Sequence, residues 1–183
     1  MKINSLYFAT SNKDKVAEAK EILRVEIHQI YLDVPEIQGL DVKEVVKQKA
    51  IMGYKLTGKP VLVEDTGLYF VAWNDLPGAL VKWFLKTIGN EGICRLMKTE
   101  ANRRARAEVA IGMYDGQDVL TFSGDISGEV PLFPRGSSGF GWDPIFQPEG
   151  YLKTFGEMTS EEKNSVSMRR TALEKFRNFL ESL

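Results

Sequence analysis

A short apolar run that ends in two adjacent carboxylates constrains this chain more than any other stretch. Residues 60–68 read PVLVEDTGL. The branched apolar residues 61–63 favour a strand buried on both faces of a sheet, because such side chains pack well on a pleated surface. An unpaired charge in a core is costly, so we expect Glu64 and Asp65 to end this strand and to face a cleft or a cation. Gly67 would then permit a sharp turn before a further strand over residues 69–73.

Length and composition limit the class of protein. The chain has 183 residues, of which 43% are hydrophobic and 27% are charged, and its net charge is −1. This length supports one well-buried core, so we expect a single domain over residues 1–183. The balanced charge disfavours a general nucleic-acid binder. No apolar run approaches the roughly 20 residues that span a bilayer, and the N-terminus lacks a signal-peptide pattern. We therefore expect a cytoplasmic protein with no nucleic-acid or membrane partner.

Two residue counts limit the chemistry. Cys94 is the only cysteine and His28 the only histidine. Intrachain disulfides and Cys/His zinc sites are therefore excluded, and a Ser/His/Asp triad is disfavoured because His28 lies in an apolar alternating run over residues 25–32. The candidate general bases are Asp and Glu, and the metal that suits such a chain is a hard one bound by oxygen, magnesium or manganese.

Strand and helix patterns alternate up to residue 63, which favours an α/β fold. Residues 6–10 resemble a strand, and a helical pattern follows over residues 16–23. Ser11 and Asn12 between them are good N-caps, and a helix start after a buried strand attracts anions. With Lys13 and Lys15 this turn can hold a phosphate chain, although it lacks P-loop glycines. The alternative is an ordinary capped helix with solvated lysines.

A glycine-rich segment with two aromatic residues lies near the C-terminal end. Residues 135–146 read RGSSGFGWDPIF. Glycines between Phe140 and Trp142 favour a loop that opens a flat slot, and nucleobases stack on aromatic faces. Aromatic residues in such a loop also often fill a core, so the segment alone is only moderately specific.

Taken in order, these motifs resemble the inosine triphosphate pyrophosphatase family, enzymes that hydrolyse non-standard purine nucleoside triphosphates such as ITP, dITP and XTP. The match extends from residue 10 to beyond residue 170 and rests on six segments: TSNKDK at 10–15, PEIQG with Glu36, VEDTGL at 63–68, LPG at 76–78, FGWDPIF at 140–146, and EKN at 162–164 leading to Arg169. The related Maf-type nucleotide pyrophosphatases share the general fold, but the FGWD element is not expected in them.

The resemblance implies an elongated, two-lobed α/β fold. Family members have a long, twisted mixed sheet flanked by helices, a central substrate cleft and usually a homodimeric assembly. The implied reaction converts the triphosphate to the monophosphate and pyrophosphate, which clears non-standard nucleotides from the pool.

The resemblance also implies residue roles. Glu36 and Asp65 match magnesium ligands, with manganese as a possible substitute, Asp65 matches the residue that accepts a proton from water, and Glu64 can assist the metal. The predicted phosphate ligands are Thr10, Ser11, Asn12, Lys13, Asp14, Lys15, Lys49, Thr66, Lys82 and Lys163. The predicted contacts to the base are Phe140, Gly141, Trp142, Asp143, Met168 and Arg169.

One segment departs from the family pattern. Ser167-Met168-Arg169 stands where the family has Ser-His-Arg, and methionine offers no side-chain N–H to a base. Base selectivity is therefore open, as is the preference among ITP, XTP and dITP. Two alternative functions are a Maf-like pyrophosphatase of other specificity and a nucleotide-binding sensor without turnover. The presence of Glu36 and Asp65 argues against the sensor, since a pure binder gains little from a poised base.

Overall fold

The computed structural model describes residues 5–182. Its strands are β1 (Ser5–Ala9), β2 (Glu26–Ile30), β3 (Val63–Phe70), β4 (Pro77–Gly78), β5 (Arg104–Tyr114), β6 (Val119–Glu129) and β7 (Gln147–Pro148). Its helices are α1 (Lys13–Leu23), α2 (Val42–Thr57), α3 (Val81–Leu96), α4 (Ser160–Val166) and α5 (Met168–Glu181). Within these residues, no helix has the length and apolar character needed to cross a membrane.

The strands form two hydrogen-bonded groups that meet at one point. Five strands pair antiparallel in the order β4-β3-β5-β6-β7, and β1 and β2 form a separate parallel pair. A parallel bridge between Phe8 and Leu62 joins the pair to the residue just before β3. The two groups are therefore connected, and the predicted α/β fold with a mixed sheet flanked by helices is confirmed.

Strand β3 differs from the sequence-based expectation. The sequence predicts a strand that stops at the two carboxylates, a turn at Gly67 and a new strand over residues 69–73. Instead, one strand runs from Val63 to Phe70 through all these positions, and Val71–Trp73 forms a 3₁₀ helix. The expectation is wrong because β5 pairs with β3 along its whole length and basic side chains compensate the Glu64 carboxylate within the strand.

Helices cover both faces of the sheet and create two hydrophobic clusters. On one face, α2 packs against β3 through residues such as Val46 and Val63. On the other face, α1 and α5 contribute to a larger cluster that includes Leu68 and Phe176. Successive side chains of a strand point to opposite faces, so neighbouring residues of β3 enter different clusters.

Helix α5 approaches the sheet closely at Gly124 of β6. A Cβ atom at this position would lie 2.2 Å from the backbone oxygen of Met168 and 3.0 Å from the backbone nitrogen of Ala172. Both neighbours are main-chain atoms, so a side chain here would force the whole helix to move. The absence of a side chain at Gly124 therefore sets how near α5 lies to the sheet.

We expect Gly124→Ala to lower the free energy of unfolding by about 1–3 kcal/mol, the usual cost of overpacking a well-packed site. Chemical denaturation followed by circular dichroism measures this. Gly39→Ala is the matched control, because a Cβ there would meet its nearest neighbour, Val45, at an ordinary 3.7 Å. Equal stability of the two variants would contradict the close packing described for α5.

Candidate functional site

A cleft opens where β3 lacks a neighbouring strand. On the side of β3 away from β5, the β1 bridge ends at Leu62 and the pairing with β4 begins at Leu68. Within residues 5–182 no strand covers the edge of β3 between these two points, which faces a cleft of about 550 Å³. Most of the residues predicted from the sequence line it: Thr10, Ser11, Asn12, Lys15, Glu36, Lys49, Glu64, Asp65, Thr66, Lys82, Phe140, Gly141 and Trp142.

The turn between β1 and α1 is closed by its own side chains. The Asn12 side-chain oxygen accepts hydrogen bonds from the backbone nitrogens of Asp14 and Lys15, at 2.8 and 3.3 Å. The Thr10 hydroxyl oxygen accepts from the backbone nitrogen of Asn12 at 3.1 Å. Asn12 therefore occupies two of the helix-start amides that the sequence suggests for phosphate, and the positive charge that this turn brings to the cleft comes from Lys15.

The adjacent carboxylates of β3 point to opposite faces of the sheet, as strand geometry requires. Glu64 is only 5% exposed and pairs with Lys15 at 2.9 Å. Its two carboxylate oxygens also accept hydrogen bonds from Arg169 of α5 at 2.9 and 3.0 Å. Burial alone would raise the pKa of Glu64, but the charges of Arg169 and Lys15 outweigh burial and lower the pKa to about 2. Glu64 is therefore ionised and fully engaged with basic side chains.

Asp65 lies on the face covered by α2, beside Glu36 and Lys49. Burial raises the pKa of Asp65 to about 6; the charge of Lys49 opposes this shift and the charge of Glu36 adds to it. The Glu36 carboxylate accepts hydrogen bonds from both Lys49 and Lys82. Lys49 also donates to the backbone oxygen of Glu64 at 3.1 Å, which ties α2 to the open edge of β3.

Glu36 is held ionised by its two lysines. Burial would raise the pKa of Glu36, but hydrogen bonds and charge from Lys49 and Lys82 give a net pKa below its usual value. Two carboxylates of different basicity thus share one wall of the cleft, Glu36 the more acidic and Asp65 the more basic.

Phe140 lines both the cleft and a second, smaller cavity of about 290 Å³. Three cations lie near its ring: Lys163 Nζ at 4.6 Å, Arg169 Cζ at 5.5 Å and Lys15 Nζ at 6.0 Å from the centroid. The buried Asp143 carboxylate accepts from Lys163 at 2.6 Å and from the backbone nitrogen of Phe140 at 2.7 Å. Asp143 therefore holds the Phe140 loop and Lys163 together.

The remaining predicted residues are distributed around these two spaces. Asp14, Lys163 and Arg169 line the second cavity, whereas Lys13 lies outside the linings described for either space. Met168 is 2% exposed and belongs to the hydrophobic cluster beneath α5. Trp142 is 6% exposed, and its ring packs edge-to-face on Phe146 with centroids 5.7 Å apart. Trp142 thus serves the core as well as the cleft wall.

One charged residue of the site escaped the sequence reasoning. Glu18 of α1 is buried and pairs with Arg169 at 3.0 Å, so that Arg169 bridges two carboxylates. The signal was its position: Glu18 lies one turn after Lys15 and one turn before the buried Ile22, which places it on the inward face of an amphipathic helix. A carboxylate on that face requires a buried partner.

A cation-lined cleft in an α/β protein is the kind of site that binds polyanions, because clustered positive charge focuses the field in a concave space. The chain belongs to the Ham1 family, whose model matches residues 6–179.

Individual relatives agree with this assignment over nearly the full length. The inosine triphosphate pyrophosphatase of Schizosaccharomyces pombe is 46% identical and covers 98% of this chain and 97% of its own. The dITP/XTP pyrophosphatase of Thermococcus kodakarensis is 42% identical, with 96% of each chain covered. The structure of the Staphylococcus aureus Ham1 protein superposes with a TM-score of 0.85 at 28% identity, covering 97% of this chain and 98% of that one. The resemblance drawn from the motifs is confirmed.

We expect Glu64→Gln to lower the free energy of unfolding at pH 7 by about 3 kcal/mol, because removing one partner of a buried ion pair leaves the other charge poorly compensated. The pKa of Glu64 in the folded protein lies below the usual value of 4.5. Its stabilising effect is therefore complete above about pH 4.5 and is lost as the pH falls towards 2. The difference between wild type and variant should shrink from pH 7 to pH 3.

Denaturant unfolding at the two pH values measures this difference. Glu21→Gln on α1 is the control, since the Glu21 side chain is 68% exposed and should change stability little at either pH. A Glu64→Gln variant as stable as wild type at pH 7 would refute the structural importance of the ion pair.

Proposed function

We propose that the chain hydrolyses non-standard purine nucleoside triphosphates, ITP, dITP and XTP, to the monophosphate and pyrophosphate. One observation carries the proposal: a single cleft joins Glu36 and Asp65 to Phe140. Acidic groups suited to a metal-assisted reaction and an aromatic ring suited to a purine thus line the same space. The names of relatives that are 42–46% identical over almost the whole chain support the same substrates.

The lysines of the cleft supply the charge that a triphosphate requires. A triphosphate carries about four negative charges near neutral pH and repels water and hydroxide until cations neutralise it. Lys15, Lys49 and Lys82 reach the cleft from α1, α2 and α3, and each is paired with a glutamate. Bound phosphate oxygens would share these lysines with Glu64 and Glu36, so binding replaces one charge-assisted contact with another.

The donor set fits magnesium. Among residues 5–182, no group of three acidic, histidine or cysteine side chains is placed to hold an ion by itself. Magnesium, however, commonly binds through one or two carboxylates together with substrate phosphates. Glu36 and Asp65 would hold it, with manganese as a possible substitute. A bound ion of this kind supplies charge neutralisation and polarises the phosphoryl oxygens. Glu64 is less suited, because its side chain is only 2% exposed, against 21% for Glu36, and the Arg169 guanidinium binds both of its oxygens.

Asp65 is the proposed general base. A pKa of about 6 leaves Asp65 mainly ionised at neutral pH and still basic enough to accept a proton from water. The activated water attacks the α-phosphorus in line with the bond to the bridging oxygen between the α- and β-phosphates. That bond breaks, its electron pair leaves with pyrophosphate, and the water oxygen remains on the monophosphate.

Phe140 is the proposed stacking residue for the purine. Its ring lines both the cleft and the second cavity, and Lys163 and Arg169 lie beside it. A site whose donors face the 6-oxo group of hypoxanthine or xanthine disfavours the 6-amino group of adenine, since buried polar groups would be left unpaired. The base contacts of Asp143, Met168 and Trp142, the homodimer, the single domain and the cytoplasmic location stay predictions.

We expect Asp65→Asn to lower the turnover of ITP by at least about a hundredfold, the usual contribution of a general base, while binding of a non-hydrolysable inosine nucleotide is retained. Steady-state assay of pyrophosphate release with ITP and magnesium measures turnover, and calorimetry measures binding. Asp125→Asn, at an exposed position of β6, is the control.

Four outcomes would contradict parts of this proposal. Wild-type release of orthophosphate would refute attack at the α-phosphorus. Asp65→Asn turnover equal to that of the wild type would refute the assignment of the base. Tight nucleotide binding by the wild type without turnover of any triphosphate in a substrate panel would favour the sensor, whereas turnover confined to modified pyrimidine or standard nucleotides would favour the Maf-like alternative.

A further inference from the structure

The backbone of the loop that carries Glu36 makes few hydrogen bonds to other elements. Residues 31–41, here called the Glu36 loop, connect β2 to α2 without regular secondary structure. In the described structure, the backbone–backbone hydrogen bonds that this loop makes outside regular elements involve Leu40 and Asp41, with none from residues 32–39. Side chains also hold the loop, since Glu36 accepts from Lys49 and Lys82 and Gln38 accepts from Trp83. The path of the loop backbone, in contrast, depends on how its C-terminal end is attached.

One hydroxyl group contacts that end from both sides. Tyr69 of β3 donates a hydrogen bond from its hydroxyl to the backbone oxygen of Leu40 at 3.1 Å. The same hydroxyl accepts from the backbone nitrogen of Val42, the first residue of α2, at 3.2 Å. Leu40 also accepts from the backbone nitrogen of Ala79 at 2.9 Å. The loop end is thus attached to β3 through Tyr69 and to the segment after β4 through Ala79.

Tyr69 completes the cap of α2. The Asp41 side chain accepts from the backbone nitrogen of Lys43 and so satisfies one of the free amides at the helix start. The amide of Val42 is buried and is satisfied by the Tyr69 hydroxyl. Without this hydroxyl, a buried N–H would lose its partner at the point where the loop becomes helix, which is unfavourable.

Tyr69 and Asp65 share one face of the same strand. Side chains two and four residues apart on a strand point the same way, so Asp65, Gly67 and Tyr69 all face α2. A Cβ at Gly67 would lie 2.7 Å from the Tyr69 ring, so the ring leans across the glycine towards Asp65. Gly67, which the sequence suggests as a turn, instead makes room for this ring.

We propose that the Tyr69 hydroxyl is a positioning group that fixes the Glu36 loop relative to β3 and thereby sets the placement of the Glu36 carboxylate against Asp65. The inference rests on the proposed function in so far as Glu36 is taken as a magnesium ligand. Tyr69 is not among the residues that line the cleft. It acts through Leu40 and Val42, which connect it to the loop and to the helix that carries Lys49.

Tyr69→Phe tests the proposal with little other change. Phenylalanine keeps the buried ring and its contact with the Arg106 guanidinium, 4.2 Å from the centroid, and removes only the hydroxyl. We expect the magnesium concentration for half-maximal ITP hydrolysis to rise by about tenfold, the lower end of the effect usual for groups that orient metal ligands. We also expect faster amide hydrogen exchange at Val42 and across residues 36–42 in the protein without nucleotide or metal.

Two further variants make the test specific. Tyr114→Phe is the matched control, because Tyr114 on β5 also uses its hydroxyl in one hydrogen bond, to the Gly116 backbone oxygen at 2.9 Å, and lies elsewhere on the sheet. Gly67→Ala keeps the Tyr69 hydroxyl but displaces the ring, so we expect a change in the same direction as for Tyr69→Phe. Tyr114→Phe should leave both the magnesium dependence and the exchange of residues 36–42 unchanged.

The readouts separate this inference from the proposed function. Absence of pyrophosphate release by the wild type would overturn the proposed function, and hydrogen exchange would still decide whether Tyr69 fixes the loop. Unchanged exchange at residues 36–42 in Tyr69→Phe would overturn the positioning role. A variant that is only less heat-stable, with wild-type magnesium dependence, would likewise overturn it, since a purely structural tyrosine behaves in that way.

Discussion

The alternation of side chains along β3 is the constraint on which the site depends. Glu64 and Asp65 are neighbours in sequence, yet the strand sends one carboxylate to the face of α5 and the other to the face of α2. Each face then supplies different partners. Glu64 meets Arg169 and Lys15 and is held ionised, whereas Asp65 lies in a less compensated environment beside Glu36 and Lys49. Two carboxyl groups on adjacent residues therefore have pKa values that are shifted in opposite directions.

The gap in strand pairing makes this alternation useful. On this side β1 contacts the chain at Leu62 and β4 pairs with β3 from Leu68; between these two points the edge of the strand is open to the cleft. β5 pairs with β3 along its whole length and so holds the backbone that carries both carboxylates in place. The lysines arrive from three separate helices, which distributes like charges around the cleft and limits their mutual repulsion.

Much of the candidate site could be predicted from the sequence, because its residues lie in short motifs that follow one another in a recognisable order. Glu36, Asp65 and Phe140 were placed in one site from their motifs, and the structure brings them to one cleft. The fold of β3 was not accessible, because a charge pair in an apolar run suggests the end of a strand unless the basic partners on other elements are known. Arg169 lies more than a hundred residues from Glu64, and a contact of that separation has no local signature.

The predictions and the structure also differ at residues whose side chains can face either a ligand or the core. Trp142 and Met168 carry little information in isolation about whether their side chains face a ligand or a core. Trp142 packs on the nearby Phe146, whereas Met168 packs in a cluster with residues as distant in sequence as Val109. The position of Phe140 links the two spaces. Its ring lines both of them, and the cations around the ring lie close to both. An occupant of one space alters the electrostatic cost of filling the other, so a nucleoside and a polyphosphate joined in one molecule should bind with a free energy that differs from the sum of the two separate fragments.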